Sequence, residues 1–392
     1  MFARPLRPVG CADIQLRLAD GRPVLARIFY ATASGSSSTP WLPHSAYLPA
    51  SLRWLQSDLD SGKLRSPRSL SSRLRLAVTL AVARLAAPLA RFLGLSIPAA
   101  PYAQPEPAPP LVVLVSHGLG GHRNVHAAHV LALVQRGFTV VACEHGDGTA
   151  VLTPRHSGWL YYMGCGPPGE RHPRIPIRMA ELSALADVLQ ALHAGEQQLP
   201  HSARLLRGDN ALLLNLFQPK GELRITAMGH SFGGATVLAL ARTDARIRSA
   251  VAHDPWLPAL AGAPPSVAVT ADWSRSCAVM ITICDTWLKN GNHDPVHLEA
   301  CNRYVRAAGG AAVVLGLADP SNHQTVTDVP LLAPSGRRNA KVLDMHRRIF
   351  DAAAAFLLEE LGRGLAKREE ELQQTAVRIL GDLHVPVDKA VR

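Results

Sequence analysis

The sequence predicts an α/β fold, a single domain over 1–392 with a mostly parallel central sheet, an antiparallel N-terminal hairpin and flanking helices. Three observations carry that expectation. Through the middle of the chain, apolar strand-like runs alternate with helix-period segments, the pattern of parallel βαβ units. Residues 12–30 instead alternate apolar and polar about a tight turn. The heptad Gly229-His-Ser-Phe-Gly-Gly-Ala235 is wedged between a strand-like run, Arg224 to Met228, and a helix-like run, Thr236 to Ala241.

In chain order, Ile14-Gln-Leu-Arg-Leu18 and Val24-Leu-Ala-Arg-Ile-Phe-Tyr30 flank the turn Asp20-Gly-Arg-Pro23 and open the sheet with a hairpin. An amphipathic helical insertion is expected over 67–97. There Arg73, Arg84 and Arg91 fall near one line of a helix, while Leu76, Leu80, Leu85, Leu89, Phe92 and Leu93 cover much of the rest. The arginines and Pro88 interrupt every uncharged run short of the ~20 residues that a bilayer crossing needs. Pro98 to Pro110 holds six prolines and reads as an extended connector. Leu111 to Val115 is a strand, 124–136 a helix stopped by Gly137, and Phe138 to Ala142 the next strand. Met179, Leu182, Leu185, Leu189 and Leu192 mark a crossover helix before the strand at Arg224. Further strands are expected at 250–252, 278–283 and 311–315, then a long amphipathic helix over 342–361 and a C-terminal helical extension over 364–392. Residues 146–175, rich in Gly and Pro, have no predicted element, and loops that long usually carry function.

Composition narrows the function classes. The net charge of +11 comes from 35 arginines and only 6 lysines, with no basic run longer than two and no basic-aromatic interleaving. A nucleic-acid groove is not expected; an anionic membrane surface is the better match for that charge. Six cysteines lie scattered without C-x-x-C spacing, several in apolar runs, as in a reduced cytosolic protein. The N-terminal ten residues lack an apolar core and a glycine at position 2, so neither a signal peptide nor myristoylation is expected.

The glycine-rich heptad reads as a nucleophile elbow, a strand–turn–helix that lifts Ser231 into a cleft and aims the first helical amides at an anion formed there. This points to an α/β-hydrolase fold. A serine hydroxyl is a weak nucleophile and needs a base oriented by a carboxylate, in the chain order serine, acid, histidine. Among the histidines beyond Ser231, His323 follows the last predicted strand, in the polar loop Ala318-Asp-Pro-Ser-Asn-His-Gln324. The acid is Asp254 or Asp285, each at the end of a strand; general α/β-hydrolase practice favours the later strand and so Asp285. His293 and His297 have the i, i+4 spacing of a zinc helix, but Pro295 suits a first helical position with Asp294 as its cap, so no metal site is expected. His122, His126 and His129 read as structural histidines.

With Ser231, Asp254 and His323 in view, the chain resembles the platelet-activating factor acetylhydrolase family, the plasma and intracellular type II phospholipases. The matching passages are Val9-Gly-Cys11, Trp41-Leu-Pro43 with Tyr47, Val115-Ser-His-Gly-Leu-Gly120 with Arg123, Gly137-Phe138, Glu144-His145, the elbow itself, Asp254-Pro-Trp256, and His323-Gln324 with Asp328. They span roughly 9–360. Gly146 stands where members carry an arginine, Gly148 follows Asp147, and Leu317-Ala-Asp-Pro320 is an insertion. These departures bear on headgroup and acyl preference.

The resemblance implies Asp254 as the acid, the backbone amides of Leu119 and Phe232 as oxyanion donors, and His117, Trp256 and Gln324 near the substrate cleft. It also implies a cofactor- and metal-free hydrolase that removes a short or oxidised sn-2 acyl chain from phospholipids such as platelet-activating factor. The helix at 73–95 is expected to dock peripherally on the lipid surface. A general carboxylesterase or lipase, and a non-catalytic lipid-binding scaffold, are the alternatives. The sequence leaves the oligomeric state open.

Overall fold

The computed structural model describes residues 7–33, 37–42, 47, 50, 96–107, 111–155, 158–163, 173–217, 221–260, 277–289, 299, 312–332, 339–362 and 369–385. The expected amphipathic helix at 73–95 and the pair His293 and His297 lie outside the described residues. The sheet is built from β1 (Val9–Arg17), β2 (Pro23–Ala31), β3 (Leu111–Ser116), β4 (Thr139–Glu144), β5 (Arg224–His230), β6 (Ile247–His253), β7 (Ala278–Ile283) and β8 (Ala312–Leu317), in the spatial order β1-β2-β4-β3-β5-β6-β7-β8. Strands β3 to β8 are parallel, while β1 and β2 form an antiparallel hairpin and β2 runs antiparallel to β4. The β4 run Thr-Val-Val-Ala-Cys-Glu and the β7 run Ala-Val-Met-Ile-Thr-Ile are buried throughout. Strands covered on both faces need no polar alternation, and these have almost none.

Among the described residues, the faces are covered chiefly by α1 (Ala127–Val134), α2 (Arg174–His193), α3 (Phe232–Thr243), α4 (Ala340–Gly362) and α5 (Glu369–Leu380). One apolar layer packs Leu182, Leu185 and Leu189 of α2 and Val237 and Leu238 of α3 under the sheet. The other packs Val130 and Leu133 of α1 and Ile349, Phe350 and Phe356 of α4 over it. Gly137, at φ 91°, follows α1 in the left-handed region that a residue with a Cβ avoids, and so stops the helix where the sequence predicts.

The predicted and observed elements differ in three places. Helix α1 starts at Ala127 rather than 124, because residues 122–126 form turns in which Val125 donates to the His122 carbonyl at 3.0 Å. The stretch 146–175 is not structureless: Leu152–Arg155 pairs antiparallel with Gly158–Tyr161, and α2 already begins at Arg174. Two-residue strands also pair antiparallel at the sheet margins, Arg204–Leu205 on β1 and His384–Val385 on β8, covering part of each edge. The second of these follows α5, so the chain runs from that helix back to the sheet edge.

Register sets the position of the site. Gly229 of β5 pairs with Ser116 of β3, His230 pairs with His253 of β6, and His253 pairs with Thr282 of β7. The C-terminal ends of four neighbouring parallel strands therefore lie in one row, and the loops leaving them converge on one edge of the sheet.

Candidate active site

Ser231 occupies the turn between β5 and α3 at φ 56°, ψ −121°. Its amide donates to the His253 carbonyl (3.0 Å), and its carbonyl accepts from the Trp256 amide (2.8 Å). The neighbouring glycines are a steric requirement. A Cβ on Gly229 would stand 2.2 Å from the Gly233 carbonyl oxygen, and one on Gly233 would stand 2.1 Å from the Ser116 carbonyl oxygen. No side chain fits either place.

Asp254 follows β6 directly, at φ 46°. Its Oδ1 accepts from the Cys284 amide (3.0 Å), and its Oδ2 accepts from the Cys284 thiol (2.9 Å) and lies 2.6 Å from Nδ1 of His323. On the other side of the ring, His323 Nε2 lies 2.9 Å from Ser231 Oγ. A carboxylate can only accept, so Nδ1 carries the proton and Nε2 is left to accept from the serine hydroxyl. The Asp254 side chain is 4% exposed and that of His323 28%, so the carboxylate is closed in while one edge of the imidazole reaches solvent.

Both ring nitrogens of His323 are thus engaged. Asp285 instead opens the short helix Asp285–Lys289 beyond β7, where its amide donates to Ser321 Oγ (2.7 Å). Trp287, from the same helix, stacks on the imidazole with centroids 4.5 Å apart and planes 22° from parallel. His230 Nε2 donates to the His323 carbonyl at 2.7 Å, holding the loop from below. Burial pushes His230 well below the imidazole range, so its ring stays neutral.

The turn after β3 lies against the serine. A Cβ on Gly118 would be 3.1 Å from the Ser231 Cβ. The amides just beyond Leu119 are committed elsewhere, Gly120 to the Thr149 carbonyl (2.8 Å) and Gly121 to the Gly118 carbonyl (3.2 Å). Phe232 is the first residue of α3, where amides have no acceptor within the helix.

The three residues expected near the cleft have different surroundings. Trp256 is half-buried and packs edge-on to Trp287, and Gln324 is exposed beside His323. His117 is only 1% exposed; its Nδ1 donates to the Gly118 carbonyl (2.7 Å) and its Nε2 accepts from the His145 amide (3.3 Å). Its ring braces the turn from behind, and burial pushes it far below the range in which it would protonate.

His122, His126 and His129 are all buried, His122 between Trp41 and Tyr47 and His129 stacked on Phe350 at 4.1 Å. Cys143, His145 and Glu181 bring three ligand atoms within 4.8 Å of one another. The imidazole there is already saturated, with Nδ1 2.7 Å from Glu181 Oε2 and Nε2 2.7 Å from Ser116 Oγ.

Sequence reasoning did not find Trp287, Cys284 or His230 as parts of this cluster. Only His230, inside the heptad, had any local signal; the other two reach the site through strand register.

Among known proteins, the chain is 34% identical over 162 residues to the platelet-activating factor acetylhydrolase of Cavia porcellus, covering 37% of this chain and 35% of that protein. It is 28% identical over 273 residues to that of Gallus gallus and 26% identical over 270 residues to that of Canis lupus familiaris. Each of those two alignments covers 64% of this chain, with 58% and 53% of the respective relative. The chain thus spans about half the length of these two relatives. A ferulic acid esterase from Streptomyces cinnamoneus superposes with a TM-score of 0.56 over 92% of this chain and 91% of its own, at 19% identity. That similarity establishes a shared fold, the α/β-hydrolase fold. The family model for platelet-activating factor acetylhydrolase, isoform II, matches residues 5–263, including Ser231 and Asp254, and the chain belongs to that family.

Proposed function

We propose that this protein is a serine ester hydrolase that removes short or oxidised sn-2 acyl chains from phospholipids, platelet-activating factor among them. The observation that carries the reading is the hydrogen-bonded series Ser231–His323–Asp254, at 2.9 and 2.6 Å, on a glycine-walled elbow. In the proposed reaction Ser231 Oγ attacks the ester carbonyl while His323 Nε2 takes its proton. Asp254 holds the tautomer and stabilises the imidazolium. The negative oxygen of the tetrahedral adduct is received by the amides of Leu119 and Phe232, each such donor being worth about 3 kcal/mol. Collapse expels the lysophospholipid alkoxide, which takes the proton from His323. Water then repeats the attack on the acyl-enzyme and releases the carboxylic acid. The chain's own residues complete this sequence without a cofactor.

Family membership supports the substrate class. Such lipids sit partly in a membrane, and the arginine-rich charge of the chain favours peripheral contact with an anionic surface. Among the described residues no helix is long and apolar enough to cross a membrane.

The test is hydrolysis of phosphatidylcholines carrying acetyl or palmitoyl at the second position, with Ser231→Ala as control. The reading expects Ser231-dependent turnover strongly favouring the acetyl chain. Equal turnover of both would favour a general lipase, and no Ser231-dependent turnover of either would overturn the proposal.

A further inference from the structure

Arg178 is among the largest side chains wholly closed off from solvent, lying on α2 in the same stripe as Leu182, Leu185 and Leu189. A guanidinium in an apolar core costs several kcal/mol unless its donors are used. Here they are used on both walls of the proposed oxyanion site. Nε donates to Asp147 Oδ2 and Thr149 Oγ1, both at 3.1 Å, and Nη2 also reaches Thr149 Oγ1. Nη1 donates to the His117 carbonyl at 2.6 Å. The guanidinium carbon stands 4.7 Å from the centroid of the Phe232 ring, a cation–π arrangement.

We propose that Arg178 is a positioning residue for the oxyanion hole: one buried guanidinium fixes the turn that bears Leu119 and the helix start that bears Phe232. This rests on the hydrolase reading above. Ion pairing alone would need only Asp147. Instead, one donor goes to the carbonyl two residues before Leu119, and the cation's face goes to the residue after the nucleophile. Thr149, also held by Arg178, accepts the Gly120 amide through its carbonyl, so the His117–Gly118 and Leu119–Gly120 peptides, which flank the one that carries the Leu119 amide, are both tied to the same guanidinium. The two walls meet at these atoms, since a Cβ on Gly233 would lie 2.7 Å from the His117 carbonyl oxygen. With so little clearance, releasing that carbonyl shifts the amides relative to Ser231.

The experiment compares Arg178→Met and Arg178→Lys in the full chain, with Ser231→Ala as blank. Steady-state hydrolysis of the acetyl phosphatidylcholine is measured alongside binding of an alkyl trifluoromethyl ketone. In the ketone adduct Ser231 Oγ bonds to the carbonyl carbon, its proton passes to His323, and the resulting oxyanion occupies the hole. Arg178→Met should lose kcat about 30- to 300-fold, approaching the loss of a whole oxyanion donor. KM should stay within about threefold, and ketone affinity should fall by the same factor as kcat. Arg178→Lys, which keeps the charge and can still reach one oxygen, should recover about tenfold of the lost kcat. A folded variant with kcat within about twofold of wild type, or with lowered kcat but unchanged ketone affinity, would overturn the proposal. If Arg178→Met does not fold, Arg178→Lys decides on the same two readouts. Wild-type protein without Ser231-dependent turnover would overturn the hydrolase reading itself, and this inference with it.

Discussion

At the scale of residues, the geometry around Ser231 leaves little freedom. Its own φ of 56° is uncommon for a residue with a Cβ, and it is held there by the bonds to His253 and Trp256. Gly229→Ala or Gly233→Ala would drive a methyl into backbone atoms closer than 2.5 Å. Each should destabilise the protein by about 3 kcal/mol or more, seen as a lower denaturation midpoint in urea. The acid can be separated from its neighbour by kinetics. Asp254→Asn should cut kcat by about ten-thousand-fold, because the amide presents the wrong partner to Nδ1. Asp285→Asn should stay within about threefold of wild type, since its amide bond to Ser321 survives the change. The reverse ranking in the same steady-state assay would reassign the acid. Ser231 and His323 were legible in the sequence because each sits in a segment whose chemistry is local: a glycine-walled turn and a polar loop after the last strand. Asp254 and Asp285 both end strands, so local spacing could not separate them; general practice in this fold favoured Asp285, and the resemblance reversed that to Asp254. Arg178 had a faint signal, a charge on the apolar stripe of a helix, but its partners come from loops distant in sequence.

At the scale of elements, the loop bearing His323 is anchored at its far end by Asp328. Oδ2 accepts from the Ala127 amide (2.7 Å) and the Trp41 indole (2.8 Å), and Oδ1 accepts from the Ala128 amide (2.9 Å). The carboxylate thus caps the first turn of α1, and the Asp328 amide completes the clasp by donating to the Val125 carbonyl at 2.8 Å. Asp328→Ala should cost about 2 to 4 kcal/mol of stability, because three donors lose their acceptor inside the protein. It should also lower kcat more than it raises KM, since a looser loop misplaces the base. Chemical denaturation and steady-state kinetics check the two effects; unchanged stability would show that the clasp is incidental. The central strands and α2 to α4 were readable because their apolar periods are long and uninterrupted. The hairpin at 152–161 was not: Pro154 and Gly158 interrupt strands only four residues long, which pair with each other and not with the main sheet. The edge strands Arg204–Leu205 and His384–Val385 are too short to carry any period.

At the scale of the whole molecule, the number of buried histidines sets how stability depends on pH. Burial lowers the pKa of His117, His122, His126, His129, His145, His230, His253 and His346; His122 and His253 are held at about 3, and His126 and His346 at about 4. The unfolded chain takes up these protons near pH 6.5, the folded protein only at lower pH. Their stabilising contribution is therefore present above about pH 6.5 and is lost as pH falls below it. Burial raises Glu144, Glu181 and Asp328, Asp328 to about 7, and these oppose the trend by protonating first in the folded state. The histidines outnumber them, so the urea midpoint should fall between pH 6.5 and 5 by the equivalent of about 2 kcal/mol or more. A midpoint that stays flat or rises over that window would contradict this balance. The family rests on residues 5–263 and the fold on most of the chain, while the proposed chemistry rests on one serine. The most direct measurement is therefore intact-mass and peptide mapping after reaction with a fluorophosphonate. Wild-type protein should gain one adduct, on Ser231, and His323→Ala should react at least about a thousandfold more slowly. An adduct on another residue, or none at all on folded protein, would contradict the account.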